Sequence, residues 1–388
     1  MKIVFFAHPL FLGSQSMPRF VDMLAEGMKT RGHEVQVLRP EAKFSKLRVK
    51  GFKKWLGYVD QYLVFPKLAK KEIGDNNNDT LYVITDHALG PYVPIVAGRP
   101  HVIHCHDFLA QRSAKGEIFK NPTSLTGRIY QSFIRSGYLQ GKNFISVSQK
   151  TKEDLHHFLR AMPASSDVIY NGLNPSFAPG NINEARRALA ISFNTDLSNG
   201  YILHVGGNQW YKNRVGVIEI YNSWRTIFQI NIPLLLIGNP PSVLLTKAYE
   251  NSAYKDDIHF LSGIEDQEVK LAYIAASVFI FPSLAEGFGW PIAEAMASGT
   301  LVITTNEAPM TEVAGDAAFL IPVQPIAADL QIEWQQGCAR VLNNVMNLQG
   351  SERNKAIENG IANAKRFNSE VTLNNIEARY KSILKQSL

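Results

Sequence analysis

The chain has 388 residues, 45% of them hydrophobic and 19% charged, and a net charge of +6, values typical of a folded protein and not of a disordered one. This length exceeds what one hydrophobic core usually supports, and it predicts two domains. The two cysteines stand far apart outside any CxxC pattern, and no run reaches roughly 18 apolar residues, so neither a disulfide framework, a structural zinc site nor a membrane span is expected.

Strand-like and helix-like runs alternate from the start of the chain. The run KIVFFAHP predicts a first strand, a helix follows from about Met17 to Arg31, and HEVQVLRP predicts a second strand. Further strand-like runs are TLYVITD, HVIHCHD, NFISVS and DVIYNG. The segment NGLNPSFAPGN, from Asn171, breaks this pattern and is typical of a linker. A doubly wound domain over residues 1–172 is therefore predicted.

The same alternation restarts in the second half of the chain, with strand-like runs at YILHVGG, PLLLIGN, IHFLSG, VFIFPS and TLVITTN. These runs predict a second doubly wound α/β domain over residues 173–368. Parallel sheets of this kind bind ligands outside the carboxyl ends of their strands. The sequence therefore predicts a ligand cleft between two facing domains.

The positive charge is concentrated in one segment of the first domain. Lys43–Lys71 contains nine basic residues and one acid, Asp60, so this segment carries +8 and the rest of the chain −2. Six aromatic residues are interleaved with the cations: Phe44, Phe52, Trp55, Tyr58, Tyr62 and Phe65. Such a combination suits an anionic membrane surface or a nucleic-acid backbone. The alternative is a solvated face whose aromatic rings point inward.

The stretch LAEGFGWPIAEAMASGT places two carboxylates around a glycine-rich turn. Proline is favoured at the first position of a helix, so a helix is expected to begin at Trp290 or Pro291. Glu286 then lies in the loop before the helix and Glu294 about one turn inside it. Both carboxylates can reach one ligand at different points along its length, and the helix N-terminus favours a phosphate. The alternative is an ordinary strand, turn and helix with Glu294 on a solvated face.

The longer run SLAEGFGWPIAEAMASGTLVITTNEAPMTEVAGDAA resembles the E-x7-E region of retaining glycosyltransferase family 4. The runs HVGGNQWYKNR, IHFLSGIEDQEVKLAYIAASVFIFPS, VSQKTKEDL and VIYNGLNPSFAP are similar to segments of that family in the expected order. The resemblance implies the GT-B fold and transfer of a sugar from a nucleotide diphosphate sugar to an acceptor hydroxyl, with the anomeric configuration kept and without a metal or other cofactor. It also implies that a final helix, about residues 369–388, returns to the first domain.

The resemblance assigns roles to residues of the second domain. Glu286 is expected to contact hydroxyls of the donor sugar, Glu294 the ribose hydroxyls, and Lys212 the diphosphate. A carboxylate suits the first two roles because it accepts two hydrogen bonds from vicinal hydroxyls, and the lysine would stabilise the leaving diphosphate. The remaining donor-binding candidates are glycines and their neighbours in the two loops: Gly206, Gly207, Gly287, Phe288 and Gly289.

The chain departs from the family pattern ahead of Lys212. Many members carry a second diphosphate-binding arginine a few residues before this lysine, and positions 207–211 hold GNQWY here. Arg214 is the candidate replacement, although the direction of the helix that it opens can equally turn it away.

Candidates in the first domain follow the first and fourth strands. Gly13 and Ser14 lie in the turn where family members often have two glycines near the diphosphate. In HCHD, His106 matches the family histidine near the donor sugar and acceptor, and Asp107 is expected to orient it. The alternative is a strand-end histidine satisfied by the backbone. His104 and His106 lack a third ligand in the sequence nearby, so no metal site is expected.

The predicted partners are a nucleotide sugar donor and a glycan or lipid-linked acceptor, with no nucleic acid, since no recognised motif supports one. We expect a cytoplasmic protein, peripheral on the inner membrane face where Lys43–Lys71 contacts anionic lipid. Two alternatives remain: a GT-B nucleotide-sugar epimerase, which needs no acceptor, and a GT-B protein that binds nucleotide sugar without turnover.

Overall fold

The structure, a computed structural model, describes residues 1–13, 16–47, 52–74 and 79–387. The chain divides into two compact units. Unit 1 comprises Met1–Tyr170 and the C-terminal segment from Glu370, and unit 2 comprises Asn171–Ser369. The first crossing between them coincides with the start of the segment NGLNPSFAPGN.

Unit 1 is built on a parallel sheet, of which the described residues form six strands in the order β2-β1-β3-β4-β5-β6. The strands are β1 (Lys2–Phe6), β2 (Glu34–Leu38), β3 (Thr80–Ile84), β4 (His101–Cys105), β5 (Asn143–Ser146) and β6 (Ser165–Val168). The direction of winding reverses between β1 and β3. The loops after these two strands therefore open at the position where doubly wound sheets bind ligands.

Unit 2 has a second parallel sheet, with six strands in the described residues in the order β12-β11-β10-β7-β8-β9. The strands are β7 (Ile202–Val205), β8 (Leu234–Ile237), β9 (Ile258–Leu261), β10 (Val278–Phe281), β11 (Val302–Thr305) and β12 (Phe319–Ile321). The winding reverses between β7 and β10, as in dinucleotide-binding sheets. The predicted α/β class is confirmed, and a strand overlaps every predicted strand-like run, although β6 lies earlier than the run DVIYNG and shares only its first two residues. Strand β12 is an additional short strand at the sheet edge.

Helices cover both sheets. Those of unit 1 are α1 (Ser16–Thr30), α2 (Lys53–Val59), α3 (Phe65–Ile73), α4 (Val93–Val96), α5 (Leu109–Lys115), α6 (Leu125–Tyr138), α7 (Gln149–Phe158) and, after unit 2, α16 (Ser369–Ser387). Those of unit 2 are α8 (Ile182–Phe193), α9 (Arg214–Phe228), α10 (Val243–Glu250), α11 (Asp266–Ala275), α12 (Trp290–Ala297), α13 (Met310–Ala314), α14 (Gln331–Met346) and α15 (Gly350–Ala364). A π-helical turn, Asp60–Val64, joins α2 to α3. Within the described ranges, no helix is long and apolar enough to cross a membrane.

The C-terminal helix α16 belongs to the core of unit 1. Its residues Leu373, Ile376 and Tyr380 are buried in the same cluster as residues of β1 and α1. A Cβ atom at Gly27 of α1 would lie 2.7 Å from the Leu373 side chain, so a glycine there allows the two helices to approach closely. His33, which follows α1, is 2.9 Å from Glu377. The last helix thus completes the sheet covering of unit 1.

Candidate active site

Two loops meet at the winding reversal of unit 2, one after β7 and one after β10. The backbone at Gly206 lies against the end of β8, where its N–H donates to the Ile237 carbonyl at 2.9 Å. Gly238 has a φ of +147°, and a Cβ atom there would lie 2.0 Å from the Gly206 carbonyl oxygen. Only glycine fits this approach. Gly206 and Gly207 therefore lie in a tightly held loop that leads to Lys212.

Lys212 and Glu286 form an ion pair between these loops. The Nζ atom of Lys212 donates to both carboxylate oxygens of Glu286, at 2.8 and 3.0 Å. Their side chains are 14% and 8% exposed, so the pair is largely shielded from solvent. Ser283 donates from Oγ to the same carboxylate at 2.6 Å. The Phe281 ring centroid lies 5.0 Å from the Lys212 Nζ atom, which adds a cation–π contact.

The helix after Glu286 begins where the proline position predicts. Helix α12 starts at Trp290, with Pro291 in its first turn and Gly289 as its N-cap. Gly289 has a φ of +104°, a left-handed conformation that reverses the chain and that other residues rarely adopt. Phe288 is buried and packs edge-on against Phe367 at a centroid distance of 5.3 Å. The loop of Gly287–Gly289 is thus fixed on both sides.

Glu294 lies one turn inside α12 and is half-buried. The hydroxyl of the buried Tyr273 donates to its Oε2 atom at 2.9 Å. Burial, together with the nearby Glu294 charge, raises the pKa of Tyr273 well above its usual range, so the phenol stays a proton donor. This carboxylate is therefore only partly solvated and is held in place by a buried partner, while its contact with the ribose stays a prediction.

Arg214, the candidate second contact for the diphosphate, is buried and bonded to the loops after β7 and β8. It is only 5% exposed, and its Nη1 atom donates to the Asn208 side chain at 2.6 Å and to the Asn239 carbonyl at 2.8 Å. Burial lowers the pKa of Arg214 to about 10. Helix α9 begins at this residue, and the side chain contacts the loops that follow β7 and β8. The prediction of Arg214 as a donor contact stays a prediction; in this structure its Nη1 atom joins the two loops.

Three residues of this region were not predicted from the sequence. Ser283 and Tyr273 each donate to one of the two glutamates, as described above. His204, the buried third residue of β7, donates from Nδ1 to the Ile280 carbonyl at 2.9 Å. Burial lowers the pKa of His204 to about 3, so a neutral imidazole lies close to Lys212. The sequence signal for Ser283 is its position two residues after the end of β10.

A polar cluster lies at the winding reversal of unit 1. The His8 Nε2 atom donates to the Asp86 Oδ2 atom at 2.9 Å, and the His87 Nδ1 atom lies 3.0 Å from Oδ1. His8 follows β1, and Asp86 follows β3. Burial alone would raise the pKa of Asp86, but its contacts with His8 and His87 keep it well below the usual range. A buried, ionised carboxylate thus positions two imidazoles at this edge of the sheet.

His106, the predicted histidine, is held by the backbone. Its Nε2 atom donates to the Thr85 carbonyl at 2.9 Å, and its ring packs edge-on against Phe20 at 4.5 Å. Asp107 instead accepts from the Leu109 amide at 3.0 Å, so the expected orientation of His106 by Asp107 is corrected. His104 lies 2.7 Å from the Tyr380 hydroxyl. Among the described residues, no group of three candidate ligands is arranged around a metal site.

The turn after β1 contains Gly13, which has a φ of +73°. Its amide donates to the Leu10 carbonyl at 3.2 Å and closes a short helical turn, Leu10–Leu12. This amide is therefore satisfied within the loop. The adjoining candidate, Ser14, lies outside the described residues.

The basic segment presents both charges and aromatic rings to solvent. Its lysines at 43, 46, 54, 67, 70 and 71 are exposed, while residues 48–51 lie outside the described residues. Phe44, Phe52 and Trp55 are 44%, 59% and 57% exposed, whereas Phe65 is buried. The alternative of inward-pointing rings thus holds for Phe65 and fails for the three exposed aromatics.

Two known protein families match the chain. Residues 17–177 match Glycosyltransferase Family 4, and residues 187–361 match Glycosyl transferases group 1. The chain is 30% identical over 173 residues to the O-antigen chain mannosyltransferase B of Escherichia coli, covering 44% of this chain and 43% of that protein. It is 26% identical over 206 residues to the O-antigen chain mannosyltransferase RfbU of Salmonella typhimurium, covering 52% and 53%. The chain thus spans about half the length of the curated relatives it matches.

Solved structures share the fold over the whole chain. The sucrose-phosphate synthase of Thermosynechococcus elongatus aligns with a TM-score of 0.76 at 16% identity, covering 100% of both chains. Alr3699/HepE of Anabaena, solved in complex with UDP and glucose, aligns with a TM-score of 0.72 at 16% identity, covering 98% of this chain and 100% of that one. The first part of the chain is thus similar to Glycosyltransferase Family 4 and the second part to Glycosyl transferases group 1, and the whole chain shares the GT-B fold of these solved structures.

Proposed function

We propose that this protein is a retaining glycosyltransferase that moves a sugar from a nucleotide diphosphate sugar to an acceptor hydroxyl. The observation that carries the proposal is the ion pair of Lys212 and Glu286 at the winding reversal of unit 2, with Glu294 one turn inside the next helix. The names of the two bacterial relatives support mannose as the transferred sugar and the assembly of an O-antigen, or of a related polysaccharide or glycolipid, as the process. The UDP and glucose in the HepE complex support a nucleotide sugar as donor.

Each residue has a proposed role. Lys212 stabilises the negative charge that develops on the leaving diphosphate, which supplies the electrostatic stabilisation without a metal. Glu286 accepts hydrogen bonds from donor sugar hydroxyls, and Glu294 from the ribose hydroxyls. The backbone of Gly206, Gly207 and Gly287–Gly289 lines the donor. From unit 1, His106 acts at the donor sugar, and the loop of Gly13 and Ser14 acts near the diphosphate.

The proposed reaction is a displacement on the face of the sugar from which the diphosphate leaves. The departing phosphate oxygen accepts the proton of the acceptor hydroxyl, so neither glutamate serves as a nucleophile. In retaining glycoside hydrolases a carboxylate about 5 Å from a second one plays that part. Here the Glu286 carboxylate accepts hydrogen bonds from Lys212 and Ser283, and the Glu294 carboxylate accepts one from Tyr273. Carboxylates held in this way suit substrate binding more than nucleophilic attack on the sugar.

The proposed location is the cytoplasm, with the basic segment on the inner membrane face. The exposed lysines and the exposed Phe44, Phe52 and Trp55 support contact with anionic lipid.

The experiment is a transfer assay with purified protein, GDP-mannose or UDP-glucose, and a lipid-linked saccharide extract as acceptor. Release of nucleoside diphosphate should require the acceptor and should fall strongly in Lys212→Ala, Glu286→Ala and Glu294→Ala. Lys255→Ala, which removes an exposed lysine 3.8 Å from Glu250 in the same unit, is the matched control. Full activity in all three site variants would overturn the proposal, and an epimerised sugar from donor alone would replace it by an epimerase.

A further inference from the structure

Unit 1 contains a cavity of about 700 Å³ that the donor residues do not use. Its aromatic wall is formed by Phe11, Tyr58 and Tyr130, and Leu12 adds an aliphatic surface. Two lysines, Lys46 and Lys54, also line it. Phe11 and Leu12 belong to the loop that follows β1. The cavity is therefore formed in part by the loop that follows β1, one of the two strands at the winding reversal of the sheet.

The charged side of the cavity is built by a buried carboxylate. Asp60, the one acid in the basic segment, is 1% exposed. It accepts hydrogen bonds from the Lys43 amide at 3.1 Å, the Phe44 amide at 2.9 Å, and the amide and hydroxyl of Ser45 at 2.9 and 2.7 Å. These bonds outweigh the effect of burial and lower the pKa of Asp60. Asp60 thus fixes the turn that carries Lys46 against the helix that carries Lys54.

The aromatic side is equally well defined. Tyr58 stacks on Tyr130 with a centroid distance of 5.3 Å and an interplanar angle of 24°. The Tyr62 and Tyr130 hydroxyls lie 2.5 Å apart. Lys54 places its Nζ atom 5.8 Å from the Tyr58 ring centroid. The cavity therefore combines a fixed apolar wall with two cations, which suits a ligand that is both apolar and anionic.

The surface around the cavity favours a lipid over a soluble anion. Large apolar side chains within two positions of the lining residues are strongly exposed: Leu10 61%, Leu47 55%, Phe52 59% and Trp55 57%. A site for a free phosphate gains nothing from such residues. Such residues do favour contact with a membrane surface, because apolar side chains enter the boundary of the acyl chains while lysines contact anionic headgroups.

We propose that this cavity binds the phosphate-bearing end of a lipid-linked acceptor, with the lipid phosphates at Lys46 and Lys54 and the apolar chain against Leu12, Tyr58 and Tyr130. This inference rests on the proposed function and names its acceptor class, an isoprenoid or similar lipid joined to the acceptor sugar through phosphate. Charge complementarity selects the phosphates, and the exposed apolar rim selects the lipid.

The test is calorimetric titration of the full chain with farnesyl diphosphate, a short water-soluble isoprenoid diphosphate, below its micelle concentration and without donor. Saturable binding is expected. The double variant Lys46→Gln/Lys54→Gln should weaken it by about tenfold or more. Tyr58→Ala should weaken it comparably. The matched control Lys67→Gln/Lys70→Gln removes two exposed lysines of α3 from the same basic segment, outside the cavity lining, and should bind as the wild type does.

Three outcomes would overturn the proposal. Inorganic diphosphate that binds as tightly as farnesyl diphosphate would indicate a soluble-anion site. Equal weakening by both lysine pairs would indicate general charge attraction. Binding to vesicles of phosphatidylcholine and phosphatidylglycerol without binding of farnesyl diphosphate would indicate surface contact alone. Thermal unfolding of each variant identifies any that fails to fold. If Tyr58→Ala does not fold, the comparison of the two lysine double variants decides the test. The titration contains no donor, so its result does not depend on the result of the transfer assay, and a failure of either proposal can be recognised separately.

Discussion

Lys212 and Glu286 are 74 residues apart in the chain, yet the lysine Nζ atom lies 2.8 Å from the nearer carboxylate oxygen. The two residues follow β7 and β10, which are neighbouring strands of the sheet. Without donor, the positive charge of Lys212, which we propose binds the diphosphate, is thus neutralised by Glu286, which we propose binds the sugar. A bound diphosphate must compete with Glu286 for this lysine.

The first prediction separates these two roles. Glu286→Gln removes the competing charge from Lys212, so a nucleoside diphosphate without sugar should bind at least as tightly as to the wild type. Transfer should nevertheless fall by about 100-fold, because the donor sugar loses its carboxylate. Titration with the nucleoside diphosphate and turnover with the nucleotide sugar give the two readouts. Loss of nucleoside diphosphate binding in parallel with turnover would contradict the assignment.

The second prediction concerns the contact of Tyr273 with Glu294. Tyr273→Phe removes one hydrogen bond that positions the carboxylate, an interaction of about 1 kcal/mol. The donor KM should therefore rise roughly fivefold with kcat little changed. Tyr201→Phe is the matched control, since its buried hydroxyl donates to the Ala272 carbonyl and not to the site. An equal KM in wild type and Tyr273→Phe would argue against a ribose-binding role for Glu294.

The third prediction distinguishes a support from a clamp at Arg214. Arg214→Met breaks the contacts with Asn208 and Asn239 and should lower the free energy of unfolding by roughly 1–3 kcal/mol. Chemical denaturation measures this loss. A clamp predicts the opposite pattern, with stability kept and nucleoside diphosphate affinity reduced.

The fourth prediction is a pH dependence that originates at Asp86. Its folded-state pKa lies well below the usual value, so its stabilising contribution is present above about pH 4 and is lost as the pH falls through the folded-state value. Asp86→Asn should therefore be less stable than the wild type at pH 7, and the difference should shrink on acidification below about pH 4. Urea unfolding at several pH values measures it. Asp22→Asn, an exposed partner of Arg39, should show little such difference.

Features that depend on local chemistry could be predicted from the sequence. Pro291 fixed the expected start of α12, and the alternating apolar runs identified the strands, because burial on both faces of a parallel sheet leaves continuous apolar segments. Strand β12 was not predicted, because a run of three residues is too short to show the apolar pattern of a strand.

Features that depend on distant backbone could not be predicted. The carbonyl that orients His106 belongs to Thr85, 21 residues earlier in the chain. The sequence does not show that this distant carbonyl, and not the adjacent Asp107, is the partner of the imidazole. The contacts of Arg214 with Asn208 and Asn239 could not be predicted for a similar reason, since the direction of the first side chain of α9 depends on how the helix is oriented against the two loops. The sequence shows Asp60 only as the single acid of a basic segment, and its three amide partners lie 15 to 17 residues away in the chain.

The central claim is retaining transfer from a nucleotide sugar that depends on Lys212. The most direct measurement is proton NMR of the product formed from GDP-α-mannose and a lipid-diphosphate saccharide, with nucleoside diphosphate release followed in parallel. The account predicts an α-linked product, one nucleoside diphosphate per sugar transferred, and near-complete loss of both in Lys212→Ala. A β-linked product, or undiminished transfer by Lys212→Ala, would contradict it.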